Sequence, residues 1–180
     1  MNGVTPREVV RTLLVLVAVV ILQFTVCLNL RIAGAHPDLV LGVPLVAGLV
    51  MGARKGAMVG FVVGIGADLL LPTPFGLTAL VGSVTGCLAG LVTDAGFEAN
   101  PVLLTPMVAL VGSAISVVFE AALGAIVGQQ QMLKADLASI VGVVGVSNAV
   151  VSLPLRRVLS WASSRDRSPW RSAIVGGDQA

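Results

Sequence analysis

Charged residues are rare in this chain and are separated by long apolar runs. Runs without any charge lie between Arg11 and Arg31, Asp68 and Asp94, Glu98 and Glu120, and Asp136 and Arg156. Each run has about the length that a helix needs to cross a hydrocarbon core of ~30 Å. The pattern therefore predicts an all-α, polytopic membrane helix bundle of about six transmembrane helices. Five of the predicted spans are residues 9–30, 38–53, 77–93, 102–127 and 137–159. The third span follows a basic turn at Arg54 and Lys55 and is ended by Pro72 and Pro74.

Small residues recur at every fourth position in the third predicted span. The glycine stripe consists of Gly52, Gly56, Gly60 and Gly64, and Asp68 continues the same spacing. Residues with this spacing share one face of a helix, and a glycine face allows the backbone of a second helix to approach closely. The fourth and fifth spans carry similar stripes. These stripes predict a compact bundle, and leave open whether the first stripe packs internally or faces a partner protein.

Two carboxylates, Asp68 and Glu120, lie inside predicted spans. Charged groups at bilayer depth are costly and are often functional. Three roles are consistent with the sequence: a proton or cation site, a hydrogen-bonded lock between helices, or a contact for a partner helix. For Asp68 a fourth interpretation is that it faces interfacial water and caps a loop.

Composition supports the membrane interpretation, because 56% of the 180 residues are hydrophobic and only 11% are charged. Typical soluble domains are about 25% charged. Cys27 and Cys87 lie in apolar spans and are interpreted as packing residues, while His36 is expected at the surface of a loop. With a single His and few charges, no catalytic triad, metal site or phosphate-binding loop can be assembled. We therefore expect no enzymatic activity, no cofactor, no metal and no nucleic-acid partner.

The distribution of positive charge predicts the orientation in the membrane. With six spans, nine of the eleven basic residues fall on the side of the two termini, and only Arg31 and Lys134 fall on the other. Basic residues favour the cytoplasmic side, so both termini are expected in the cytoplasm. Cleavage after Ala35 would leave five spans in the same orientation. The first apolar run exceeds the ~7–15 residues of a signal-peptide core, so we expect it to be retained. Residues 1–159 then form one bundle, and 160–180 form a basic cytoplasmic tail that contacts lipid headgroups or enforces topology.

Three short motifs resemble the bacterial rod shape-determining protein MreD family. They are Pro37-Asp38-Leu39, the spacing Gly60, Gly64 and Asp68, and Pro74-Phe75-Gly76-Leu77-x-Ala79-Leu80. The resemblance covers roughly residues 36–92. It implies a fold similar to the substrate-binding subunits of energy-coupling-factor transporters and a place in the cytoplasmic (inner) membrane. It also implies association with the bitopic protein MreC, and through it with the polymerase RodA, its transpeptidase and MreB filaments. Family members have no known catalytic activity.

The leading hypothesis is a membrane scaffold of the cell-elongation machinery that docks the transmembrane helices of partners such as MreC. The candidate packing or partner interface comprises Gly56, Gly60, Gly64, Asp68, Pro74, Gly76 and Glu120, with Pro37 and Asp38 as family-motif residues. Glu120 receives no role from the family. The alternative is a solute-binding subunit of an energy-coupling-factor-type vitamin transporter, although an aromatic content of 4% without Tyr supplies such a pocket poorly. A lipid-handling or proton-coupled carrier that uses Asp68 and Glu120 is the third hypothesis.

Overall fold

A computed structural model describes residues 6–25, 38–70, 75–96, 100–128 and 137–163, with the side chains of 6–9 and 24 excepted. Every regular element in these ranges is an α-helix, as the apolar pattern predicts. Six helices are present in the described part of the chain: α1 (Pro6–Thr25), α2 (Leu39–Met51), α3 (Ala53–Asp68), α4 (Leu77–Asp94), α5 (Pro101–Ile126) and α6 (Leu137–Ser163).

Three of these helices, α4, α5 and α6, are long and apolar enough to cross a membrane by length and composition. The apolar stretch of α1, Val10–Gln23, is shorter, and α2 has 13 residues. At 1.5 Å per residue α2 is ~20 Å long, against a hydrocarbon core of ~30 Å. The exposed surface of the long helices is largely Leu, Val, Ile and Met. These features are those of a membrane-embedded helical protein.

The short helix α2 occupies the centre of the bundle. All its residues from Leu39 to Leu49 are buried, and it packs against every other described helix. Val43 and Val46 meet Val63 of α3 and Leu159 of α6 in the core. The glycine stripe makes the third predicted span the most conspicuous helix in the sequence, but the structure places α2 at the centre of the bundle. The physical reason is that α2 is apolar on all sides and has glycines where its neighbours approach.

The connection between α2 and α3 is a single residue, Gly52, with φ = +85°. This conformation favours glycine, because a side chain would be strained there. The prediction of a basic turn at Arg54 and Lys55 is therefore wrong, since both residues lie in the first turn of α3. Gly52 is likewise the break between two helices and not a member of the stripe, because the chain reverses one residue before α3 begins.

Successive helices run in opposite directions, so the molecule has two distinct ends. At the acidic end, defined by Asp38, Asp68 and Glu120, the Gln23 side chain of α1 accepts a hydrogen bond from the Leu39 N–H at 2.9 Å. At the basic end, the guanidinium of Arg11 lies 5.2 Å from the ring centroid of Trp161. The cations whose side chains the structure describes all belong to the basic end: Arg11, Arg54, Lys55, Arg156 and Arg157.

The last helix, α6, continues to Ser163. The sixth span, which was expected to end near residue 159, is therefore four residues longer than expected. Near the basic end, Arg156 Nη1 donates to Thr105 Oγ1 of α5 at 2.7 Å and so ties α5 to α6. The rest of the expected tail, 164–180, lies outside the described residues.

Candidate functional site

The glycine stripe of α3 packs directly against the glycines of α4. A methyl group added to Gly56 would lie 2.5 Å from the carbonyl oxygen of Gly86, and one added to Gly60 would collide with the carbonyl of Gly82. Gly64 meets the backbone of Ala79 in the same way. The two backbones are thus in van der Waals contact along most of their length, which requires residues without side chains on both faces.

This contact shows whether the stripe residues Gly56, Gly60 and Gly64 are open to a partner protein. All three are buried. Gly48 of α2 also lies against Gly86, so a third backbone approaches the same junction. In the described structure α4 covers the stripe, so this face serves packing within the chain and is not an open surface.

Asp68, the last residue of α3, caps the first turn of α4. Its Oδ2 accepts hydrogen bonds from the N–H groups of Gly76 at 2.9 Å and Ala79 at 3.2 Å, and its Oδ1 accepts one from Thr78 at 3.2 Å. Only 4% of the residue is exposed. A negative charge at this position also interacts favourably with the positive end of the α4 dipole. Asp68 is therefore an interhelix lock, and it does not face water.

Asp94 makes the corresponding contact at the other end of the same helix pair. As the last residue of α4, it accepts a hydrogen bond from the Ala53 N–H, the first of α3, at 2.9 Å. A glycine with positive φ precedes each capped helix, Gly52 before α3 and Gly76 before α4. Each helix of the α3–α4 hairpin thus ends in a carboxylate that caps the start of the other. The sequence signal for this arrangement was an Asp at the end of each apolar run.

Glu120 of α5 approaches the same turn from a neighbouring helix. The Thr78 hydroxyl donates to Glu120 Oε1 at 3.4 Å, so Thr78 joins Asp68 through its backbone and Glu120 through its side chain. Asp38, the N-cap of α2, accepts a hydrogen bond from the Val40 N–H at 2.9 Å. The acidic residues of this end therefore all contact the start of a helix: Asp38 that of α2, and Asp68 and Glu120 that of α4. Among the described residues, no three His, Cys, Asp or Glu side chains are grouped so that they could hold a metal ion.

A polar contact that the sequence analysis did not predict joins α5 and α6 in the middle of the bundle. Asn148 Nδ2 donates to Ser113 Oγ at 2.8 Å, and both residues are buried. The other amide atom, Oδ1, has no hydrogen-bond partner and lies against Gly42 of α2, where a Cβ would be 2.6 Å away. The sequence does show an Asn within an apolar helix, which indicates a polar contact with another helix. Which residue is the partner depends on tertiary packing and cannot be read from the sequence.

An apolar groove of about 360 Å³ opens between α4 and α5. Leu45 of α2 forms part of its wall, and the hydroxyl of Thr85 is occupied, since it donates to the Val81 carbonyl at 2.8 Å. The groove therefore offers carbon surface only. The residues that line it are Leu45, Thr85, Leu88, Ala89, Val92, Leu104, Met107, Val108, Val111, Gly112 and Ile115.

Several predicted residues lie outside the described part of the chain, namely Pro37, Pro74, Cys27 and His36. Cys87 is half-buried in α4, with a free thiol. No family model, no curated protein and no solved structure matches this chain.

Proposed function

We propose that this protein is a non-catalytic scaffold of the bacterial cytoplasmic membrane that docks the transmembrane helices of partner proteins. The proposal rests on the observation that buried polar side chains form hydrogen bonds to other parts of the same chain. The buried residues Asp68 and Asn148 each bond to another helix or helix start, and the exposed Asp94 does the same. What remains for other molecules is a rigid, apolar lateral surface, which suits a partner helix better than it suits a polar substrate.

The separation of charge between the two ends supports the proposed topology. We place all six helices in the bilayer, with the basic end and both termini in the cytoplasm. The described cations lie at the basic end, while Asp38, Asp68 and Glu120 lie at the other. Basic residues are retained on the cytoplasmic side during insertion, and this arrangement satisfies that preference.

The resemblance of residues 36–92 to the MreD family gives the proposal its biological setting. The partner would be an MreC-like bitopic protein, which links the scaffold to a RodA-type polymerase, its transpeptidase and MreB-like filaments in lateral peptidoglycan synthesis. Because α4 covers the glycine stripe, the partner helix must use another face. The groove between α4 and α5 is a described surface that is both apolar and open, and we assign the partner helix to it.

Filling the groove tests this proposal. Val111 is 54% exposed at the groove, and Ile21 of α1 is exposed to a similar degree on a remote face. Val111→Trp is expected to reduce co-purification with the MreC-like partner and to make rod-shaped cells round, whereas Ile21→Trp should leave both unchanged. Equal partner recovery from the two variants would refute the assignment. Growth rescue by a vitamin, or saturable binding of one by the purified protein, would instead favour the transporter subunit.

A further inference from the structure

Two arginines and a tryptophan lie together on the outer surface of α1 and α6 at the basic end. The guanidinium of Arg11 lies over the ring of Trp161, 5.2 Å from its centroid. Arg157 lies four residues before Trp161, and residues four apart are neighbours on one face of a helix. Trp161 is 59% exposed and Arg157 is exposed as well. We call these three side chains the Arg–Trp cluster.

The positive charge of the Arg–Trp cluster is not balanced within the described part of the chain. There, neither guanidinium donates a hydrogen bond or pairs with a carboxylate, whereas the neighbouring Arg156 donates to Thr105. A guanidinium over an aromatic ring keeps its N–H edge free, and that edge fits two oxygens of a phosphate or carboxylate. Two neighbouring cations also repel each other unless an anion lies between them. The cluster is therefore complementary to an anion.

The length of α6 places the Arg–Trp cluster at the surface of a bilayer. The helix has 27 residues and is ~40 Å long at 1.5 Å per residue. A bilayer with its interfacial regions is ~40–45 Å thick. Trp161 lies two residues before the end of α6, at the depth where tryptophans collect in membrane proteins. The anions concentrated at this depth are the phosphate groups of lipids.

Apolar side chains continue from the Arg–Trp cluster toward the middle of the bundle. On α1, Leu14 lies three residues after Arg11 and is 65% exposed. On α6, Val158 lies three residues before Trp161 and is 44% exposed. Because α1 begins and α6 ends at the basic end, both residues lie about one turn deeper than the charges, and the two helices pack against each other. A cationic edge above a carbon surface matches a phospholipid, whereas a soluble anion does not need the carbon surface.

We propose that the Arg–Trp cluster binds the phosphate of an anionic phospholipid of the phosphatidylglycerol type, whose acyl chains lie along α1 and α6. Arg11 and Arg157 donate to the phosphate oxygens, and the ring of Trp161 holds Arg11 in position. A zwitterionic lipid carries an ammonium group beside its phosphate, which the two guanidinium groups repel. The inference requires only that the bundle lies in a membrane, so its test is independent of the proposed docking of partner helices.

Trp161 can itself report on the lipid beside it. The chain contains one other tryptophan, so Trp170→Phe in the full-length protein leaves Trp161 as the single indole. Phosphatidylcholine vesicles would contain an equal, minor fraction of phosphatidylglycerol or phosphatidylcholine brominated on the acyl chains, which quenches an adjacent indole. A basic residue near a membrane surface raises the affinity for anionic lipid about fivefold, so brominated phosphatidylglycerol should be enriched at Trp161 by about five- to twentyfold. Equal quenching by the two brominated lipids would overturn the proposal.

Two double variants separate a specific site from general attraction by positive charge. Arg11→Gln with Arg157→Gln should remove the preference for phosphatidylglycerol. Arg54→Gln with Lys55→Gln removes the same charge from the same end, but on α3, and should retain the preference. An equal loss in the two double variants would show that net charge alone attracts the lipid, and the proposed site would be wrong.

Further controls address folding and the source of the phosphate. Arg157→Gln alone removes a side chain that forms no hydrogen bond within the described residues, and should lower the enrichment about fivefold. It serves if the double variant unfolds, which thermal unfolding measures. Excess inorganic phosphate should leave the quenching unchanged relative to sodium chloride of the same ionic strength. Loss of the phosphatidylglycerol preference in phosphate alone would assign the cluster to a soluble anion and overturn the proposal.

Discussion

At the scale of single residues, the burial of the Asp68 carboxylate is explained by the backbone N–H groups that it binds. Burying a charge in an apolar region is costly unless hydrogen bonds compensate for the lost water. Asp68 accepts three such bonds from the start of α4, all between 2.9 and 3.2 Å. Its role is therefore structural, and removing it should lower stability before it alters any activity.

The first prediction compares the two capping carboxylates. Asp68→Ala should cost about 3 kcal/mol or more, because each buried N–H left without a partner costs about 1–3 kcal/mol. Asp94→Ala is the matched control: its carboxylate caps α3 with one bond and the residue is exposed, so the loss should be about 1 kcal/mol. Thermal unfolding in detergent measures both. An Asp94→Ala variant that is as destabilised as Asp68→Ala would contradict this account.

A second prediction concerns the buried pair Asn148 and Ser113. Removing one partner leaves the other buried without its hydrogen bond, whereas replacing both by apolar groups can be nearly neutral. Hydrogen bonds between membrane helices contribute about 0.6 kcal/mol on average. Asn148→Leu and Ser113→Ala should therefore each destabilise the bundle, and the double variant should recover about 0.6 kcal/mol relative to their sum. A strictly additive cycle would show that the 2.8 Å contact contributes nothing.

At the scale of helices, the α3–α4 pair is held by backbone contact and not by interlocking side chains. Gly60→Ala should destabilise the protein by about 1–3 kcal/mol, because the new methyl group would collide with the carbonyl of Gly82. Gly66→Ala on the same helix is the control, since its Cβ would meet only a Val20 methyl at 3.8 Å. That variant should be neutral or up to about 1 kcal/mol more stable, through helix propensity. Equal unfolding temperatures for the two variants would count against the contact.

This contact also changes how partner-binding experiments must be interpreted. Gly60→Leu or Asp68→Leu would be expected to reduce co-purification with an MreC-like protein, but both substitutions disturb the α3–α4 hairpin itself. Loss of the partner in these variants would report loss of the fold. Exposed groove residues such as Val111 and Met107 are better probes, because their side chains can change without opening the bundle.

At the scale of the whole molecule, the charges are arranged along the axis of the bundle. The basic end carries the described cations, including Arg54 and Lys55 of α3, and the acidic end carries three carboxylates. A fluorescent protein fused to the C-terminus should therefore be fluorescent, since that end is expected in the cytoplasm, and alkaline phosphatase fused there should be inactive. Active phosphatase at the C-terminus would reverse the proposed orientation.

Much of the secondary structure could be predicted from the sequence, because the apolar runs and their polar boundaries act locally. The fourth and fifth predicted spans match α4 and α5 within one residue at each end. The connection at Gly52 was missed, since a reversal through one residue depends on Asp94 of α4 binding the start of α3. The central position of α2 was also missed, because a helix that is apolar on every face does not indicate which neighbours surround it.

Residue types and their order along the chain are enough to predict apolar helices, small residues along the third and fourth of them, and positive charge at one end of the bundle. These properties depend on residue type and spacing alone. Three contacts became known only from the folded molecule: the glycines of α3 pack against those of α4, Asp68 and Asp94 cap each other's helices, and Asn148 bonds to Ser113. Such contacts join residues that are distant in sequence, and a periodic pattern specifies a face without specifying what covers it.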